Sequence, residues 1–133
     1  MSKLIAIVKS IDMVENLNIV KFNFNDTVLT MMSLDLNNNI EVGTKVSLAI
    51  KPTHVAIGKG FNGIVSYSNQ IKTTIIDIDN GKLLSVIKLG VDETIIESII
   101  TAQSSLKMDL NVGDSVIALI KASEISIERI IEC

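Results

Sequence analysis

Between Val20 and Phe24 the apolar side chains Val20, Phe22 and Phe24 alternate with Lys21 and Asn23, which is the period of a half-buried strand. Asn25-Asp26 then reads as a turn. The opening MSKLIAIVKSIDM reads as a first strand, because Lys9 and Asp12 come too early for the apolar core of a secretion signal. Further on, Ile71 to Ile78 leads into Asp79-Asn80-Gly81, a hairpin signal because Asn and Gly accept positive φ, and the chain returns from Lys82 to Leu89. Gly90 to Glu93 turns it again, into Thr94 to Ile100. Asn37-Asn38-Asn39 and Asn111-Val-Gly113 are further turns. Helical propensity rises only after Thr101, over Ala-Gln-Ser-Ser-Leu-Lys-Met, with Thr101 as N-cap; Thr30 followed by Met-Met-Ser-Leu offers a shorter version. Short strands at close spacing predict an all-β chain with short helical turns.

The pattern repeats. Val42, Gly43, Val46, Ile50 and Lys51 reappear as Val112, Gly113, Val116, Ile120 and Lys121 at an offset of 70. Thr53 with Ser123, Val55 with Ile125 and Ile57 with Ile127 extend the match. Upstream, Ala6-Ile7-Val8 aligns with Gly63-Ile64-Val65 at an offset of 57, and Thr30 to Ser33 with Thr101 to Ser104 at 71. On that alignment copy one is shortened and copy two carries an extra hairpin. The expected division is residues 1–58 and 61–133, around Gly58-Lys-Gly60. Units of that size are marginal alone, so each is expected to need the other.

Composition narrows the function. Twelve Lys plus Arg against fifteen Asp plus Glu give a net charge of -3, which provides no general attraction to nucleic acid or an anionic membrane. No apolar run reaches the roughly 18 residues of a membrane span. A single cysteine, Cys133, allows no intramolecular disulfide, and a reducing, cytoplasmic location follows as the expectation.

The repeated lysines are the candidate chemistry. Read as a continuing strand, Lys121 and Ser123 share one face and Glu124 lies on the other; Lys51 and Thr53 share a face likewise, with Pro52 and His54 opposite. Pro52 withholds its N–H, so strand pairing is expected to end there. A deprotonated tetrahedral oxyanion presents only acceptors and asks for ammonium, hydroxyl and backbone N–H donors. Each copy supplies a lysine, a hydroxyl two residues on, and a Thr-x-x-Ser turn. The plain alternative is a solvated lysine at a strand end.

At these residues a family resemblance emerges. Ile100-Thr-Ala-Gln-Ser104 and Leu110-Asn-Val-Gly-Asp-Ser-Val-Ile-Ala-Leu-Ile-Lys-Ala-Ser123 resemble the Mop, or TOBE, domain of molbindins and of molybdate-responsive regulators and transporters. The tandem arrangement is similar to the two-domain molbindins and spans nearly the whole chain. The resemblance implies two tandem OB-like small β-barrels, assembly into a homotrimer, and molybdate or tungstate held at subunit interfaces. By position the oxyanion-binding residues it implies are Thr101, Ser104, Lys121, Ala122 and Ser123, with Thr30, Ser33, Lys51, Pro52 and Thr53 in the first copy. The Ser-Ala-Arg-Asn-like segment that often opens the family's domains has no counterpart: Ala56-Ile-Gly-Lys59 precedes copy two, and Lys59 and Lys3 stand outside that register without an arginine's fork.

Other chemistry has less to stand on. One histidine, His54, and one cysteine leave no metal-ligand set within a chain, and His54 reads as a packed or surface residue. Cys133 reads as inert, and Met31, Met32 and Met108 as core filling. Neither a nucleotide-binding loop nor a nucleophile motif is present, so the expectation is a binder and not an enzyme, with no organic cofactor. Two alternatives come from other classes. An OB-like barrel that binds single-stranded nucleic acid would need stacking aromatics in a basic groove, where this chain has four aromatics; an oligomerisation module that has lost its ligand would fit the missing arginine. The strand Val116 to Ile120 is apolar on both faces, which asks for cover from the sister unit or from another subunit.

Overall fold

The computed structural model describes residues 2–131. Ten strands form two five-stranded antiparallel sheets. The first half contributes β1 (Ser2–Val14), β2 (Leu17–Phe24), β3 (Thr27–Leu34), β4 (Lys45–Ile50) and β5 (Ala56–Gly58). The second contributes β6 (Asn69–Asn80), β7 (Leu84–Val91), β8 (Thr94–Thr101), β9 (Ser115–Ile120) and β10 (Ile125–Ile130), with one short helix, α1 (Ala102–Lys107), after β8.

The sheets exchange strands. The order in one is β10-β4-β1-β2-β3 and in the other β5-β9-β6-β7-β8. The chain thus leaves the first sheet after β4 to add β5 to the second, and leaves the second after β9 to return β10 to the first. Pairing crosses the sequence division at both ends.

Alternation builds the core as expected. Leu4, Ala6 and Val8 of β1, Val20, Phe22 and Phe24 of β2, and Leu29 and Met31 of β3 are buried, and so are Ile71 and Ile75 of β6, Ile87 and Leu89 of β7 and Ile96 of β8. These residues, with Val46, Leu48, Ile50, Val116, Ala118, Ile120 and Ile125, form one contiguous cluster across both sheets. Each large side chain so buried stabilises by about 1.5–3 kcal/mol. Bulges at Lys9 in β1 and Ile76 in β6 bend each long strand, so its first part pairs with β4 or β9 and its second with β2 or β7. The result is a curled, OB-like sheet in each half.

Strand register corrects part of the repeat. Ser2 opposes Ile50 as Asn69 opposes Ile120, and Leu17 opposes Leu34 as Leu84 opposes Thr101. The first three strands therefore correspond at an offset of 67, and Ala6-Ile7-Val8 matches Thr73-Thr74-Ile75 instead of Gly63-Ile64-Val65. The offset of 70 holds from β4 and β9 onward. Both halves have the same two hairpins; the length difference lies in the stretch 59–68 and in the connection that holds α1. A three-residue match with two identities misled the alignment, because alternation makes many apolar triplets look alike.

The tip of the second long hairpin differs as well. Among the described residues Gly81 is not at positive φ. Its need for glycine is close approach: its N–H donates to the Leu84 carbonyl at 2.8 Å, and a Cβ would sit 2.8 Å from that oxygen. Positive φ falls at Asn25 (51°) and Asp92 (52°), equivalent turn residues in the two halves. Cover for the outer face of β9 is partly internal: Leu119 is buried, with its Cδ1 close under Gly58 beside Phe61, and Ile117 is half-buried. Cys133, read from sequence as inert, lies outside the described residues.

Two equivalent polar contacts tie the halves. The fully buried Asn69 accepts from the Thr30 N–H at 2.7 Å and donates to the Thr30 carbonyl at 2.9 Å, while the Ser2 hydroxyl accepts from the Glu97 N–H at 2.9 Å. Replacing Asn69 leaves two backbone groups of β3 without partners. Asn69→Ala is expected to cost about 2–4 kcal/mol and Ser2→Ala about 1 kcal/mol, measured by denaturant unfolding; equal losses would contradict the two-bond assignment.

Candidate functional site

Both lysines stand where the chain changes sheet. β4 ends at Ile50 and β9 at Ile120, so strand alternation does not continue through Lys51–Thr53 or Lys121–Ser123. Lys51 (φ −72°, ψ 135°) opens a single 3-10 turn over Pro52–His54, and Lys121 (φ −69°, ψ 148°) opens another over Ala122–Glu124. The His54 N–H donates to the Lys51 carbonyl at 2.9 Å and the Glu124 N–H to the Lys121 carbonyl at 3.0 Å. Pro52 suits the first turn position, since its fixed φ is helical and its missing N–H has no partner to lose. The closing bonds do not use the N–H groups of Thr53, Ala122 and Ser123. Lys51, Thr53, Lys121 and Ser123 are exposed, and Pro52 and Ala122 half-buried.

The corners dock crosswise. The first packs on β8 of the other half, and the second on β3. Lys121 and Thr53, from different copies, line one cleft of about 340 Å³ with His54, Tyr67, Ile99, Ile100 and Glu124. That is near the lower end of small-ligand pockets, roughly 300–1,000 Å³. Ser33 and Ser123, again from different copies, line a more apolar groove of about 600 Å³ between β3 and β10, beside Met31, Ile125 and Ile127. Lys51 lines neither. Within one chain the candidate residues are thus grouped across copies, where sequence order grouped them by copy.

Thr101 is the expected N-cap of α1: its hydroxyl accepts from the Ser104 N–H at 3.1 Å and donates to the Ser104 hydroxyl at 2.9 Å. Both side chains are exposed and line neither of these two clefts. In the first half no helix forms at Thr30. Thr30 lies within β3, corresponds in register to Glu97, and has its backbone held by Asn69; the counterpart of Thr101 is Leu34. Ser33 donates to the Leu34 carbonyl at 3.3 Å. The Thr-x-x-Ser match at offset 71 is therefore not a structural repeat.

Sequence reasoning missed Glu124, His54 and Tyr67. The strand reading turned Glu124 away from Lys121, whereas the 3-10 turn brings it to the same cleft, with Glu124 Oε2 2.6 Å from His54 Nδ1. The available signal was that 54 and 124 are equivalent positions carrying opposite charge character.

The two lysines nearest the missing arginine are engaged elsewhere. Lys3 Nζ lies 3.1 Å from Glu128, and Lys59 Nζ lies 3.0 Å from Asp114 Oδ2 and donates to the Asp109 carbonyl. Asp114 also accepts from the Asn111 N–H at 2.9 Å. That backbone bond first, and Lys59 second, hold its carboxyl below the usual aspartate range.

Residues 66–127, from just before β6 through the start of β10, match the model of the TOBE domain. No curated protein matches the chain. Among solved structures the chain is similar to the cytoplasmic molybdate-binding protein ModG, in a crystal form with molybdate bound. The TM-score is 0.86 at 20% identity, over 94% of this chain and 93% of that one. The likeness is one of fold, and it includes the first half, which the TOBE match does not reach. Among the described residues no helix is long and apolar enough to cross a membrane, and no three His, Asp or Glu side chains converge.

Since the folded-state value of Asp114 lies below the unfolded one, its contacts stabilise at pH values above the ordinary aspartate range and that stability fades as pH falls through the depressed value. Lys59→Met is expected to raise the Asp114 titration only part of the way, because the Asn111 bond remains. Carboxyl-carbon NMR titration reads this, and an unmoved Asp114 would exclude Lys59 as a cause.

Proposed function

We propose that the protein binds molybdate or tungstate reversibly, without chemical turnover, and serves as a cytoplasmic store, buffer or sensor of the oxyanion. The observation that carries the reading is the meeting of Lys121 and Thr53 in one small cleft, at a corner whose Ala122 and Ser123 N–H groups lie outside the turn's closing bond. Ammonium, hydroxyl and free amide are the donors an acceptor-only dianion requires. The TOBE match and the likeness to a molybdate-bound protein support the same ligand class.

In this reading Lys121 neutralises part of the charge, while the Thr53 hydroxyl and the corner amides satisfy oxygens. Lys51 and Ser123, which do not line that cleft, act at surfaces that a neighbouring copy completes. Thr101 and Ser104 offer hydroxyls on an exposed surface that a neighbouring copy completes, and the assembly is a homotrimer. Ile5 and Ile7 on the outer face of β1, 46% and 45% exposed, with Val28 and Met32 on the same face of the sheet, supply apolar surface for such contacts. Selectivity over sulfate, equal in shape and charge but smaller, rests in this reading on the size of the assembled pocket. The net charge of -3 and four aromatics disfavour a single-stranded nucleic-acid groove.

Calorimetry is expected to give binding of molybdate and tungstate and none of sulfate, with Lys121→Ala and Lys51→Ala each weakening a class of sites by about 1.5–3 kcal/mol. Sedimentation is expected to give three times the chain mass. An oligonucleotide shift with no oxyanion heat, or unchanged affinity in both variants, would refute the assignment.

A further inference from the structure

The two corner turns touch each other at equivalent positions. His54 and Glu124 are each the last residue of their 3-10 turn, their side chains meet at 2.6 Å, and both line the cleft with Lys121 and Thr53. Both are about one-third exposed, at 37% and 33%, so the pair is open to solvent. A carboxylate there works against a dianion. Glu124 and the oxyanion offer only acceptors, and like charges in one cleft repel.

His54 decides how much of that repulsion is felt. At this separation Nδ1 donates to Glu124 in both charge states of the ring, so the contact survives titration while the net charge of the pair changes from zero to −1. The other titratable groups facing the pair are few. Lys121 and Tyr67 share the cleft, Lys51 opens the first turn, and Glu97 lies on β8, on which that turn packs. β3, on which the second turn packs, has no charged residue.

Resting on the oxyanion reading of this cleft, we infer that His54 and Glu124 are the residues that set its affinity, so that the cleft takes a dianion more tightly when the imidazole is charged. Uptake is then coupled to the charge state of the imidazole. Neither residue is a direct donor to the ligand in this scheme. Glu124 opposes the guest, and His54 offsets Glu124.

The test is calorimetry with molybdate at pH 6.5 and pH 8 on the full chain, on Glu124→Gln, on His54→Asn and on the double variant. Wild type is expected to bind more weakly at pH 8. Glu124→Gln is expected to tighten binding at pH 8 about three- to tenfold, the scale of one like charge in a solvent-screened cleft. His54→Asn keeps a donor near the carboxylate but never charges, so it is expected to bind at pH 6.5 as weakly as wild type does at pH 8. The double variant is expected to bind more tightly than His54→Asn with little pH dependence. Absence of wild-type binding at both pH values would overturn the underlying oxyanion reading. Wild-type binding that is equal at both pH values and unchanged in Glu124→Gln would overturn this inference alone. Should Glu124→Gln fail to fold by circular dichroism, the wild-type profile against His54→Asn decides between the same outcomes.

Discussion

The structure depends on a reciprocal loan of strands. Each sheet is completed by a strand from the other half of the chain: β10 pairs along β4, placing Ile125 opposite Ile50 and Ile127 opposite Leu48, and β5 pairs along β9, placing Ala56 opposite Leu119. A half without its loan would leave the ladder edge of β4 or β9 open and part of the shared core exposed. This constraint also makes the candidate site. To pass from one sheet to the other the chain must break its ladder and turn, and it does so at Lys51 and at Lys121.

A duplicated fold with this exchange places equivalent positions face to face about a pseudo-twofold axis. An identical pair of charged residues there would repel, and in a true two-fold dimer the residue would meet its own copy. This chain shows how divergence removes that conflict. At the corners His54 meets Glu124, and at the hairpin turns Asn25 donates to Asp92 at 2.9 Å. Ser2 and Asn69 likewise occupy one register position and hold equivalent backbone groups of β8 and β3, one through a hydroxyl and the other through an amide. The halves have kept the geometry while their contacts have become complementary.

The all-β class, the paired hairpins of the second half and the capping role of Thr101 were legible because each rests on a local signal: alternation, a turn residue, or a hydroxyl three residues before a free amide. The strand exchange was not legible. β5 and β10 are short, and nothing local to Ala56–Gly58 or Ile125–Ile130 distinguishes pairing with the near sheet from pairing with the far one. The site suffered from the same gap. Repeat matching correctly joined Lys51 to Lys121 and Thr53 to Ser123, but treating the corners as strand turned Glu124 away from Lys121 and hid the crosswise grouping of copies. Thr30 was drawn in by a four-residue match that the ladder register overrules.

In a chain whose regular structure is almost all strand, most backbone amides are consumed by the ladders, so free donors arise chiefly where a ladder is interrupted. Here the exchange corners are such places, and each is marked by a cation. The two corners are nevertheless unequal. Pro52 removes an N–H that Ala122 retains, so the second corner has two amides outside its closing bond and the first has only that of Thr53. Lys121 is the lysine that lines the cleft shared with Glu124 and His54, while Lys51 does not. The donor-richer corner is therefore also the one held beside an opposing carboxylate. Such a balance makes its hold on an anion adjustable, whereas a corner with fewer amides and no carboxylate partner in that cleft has less to adjust.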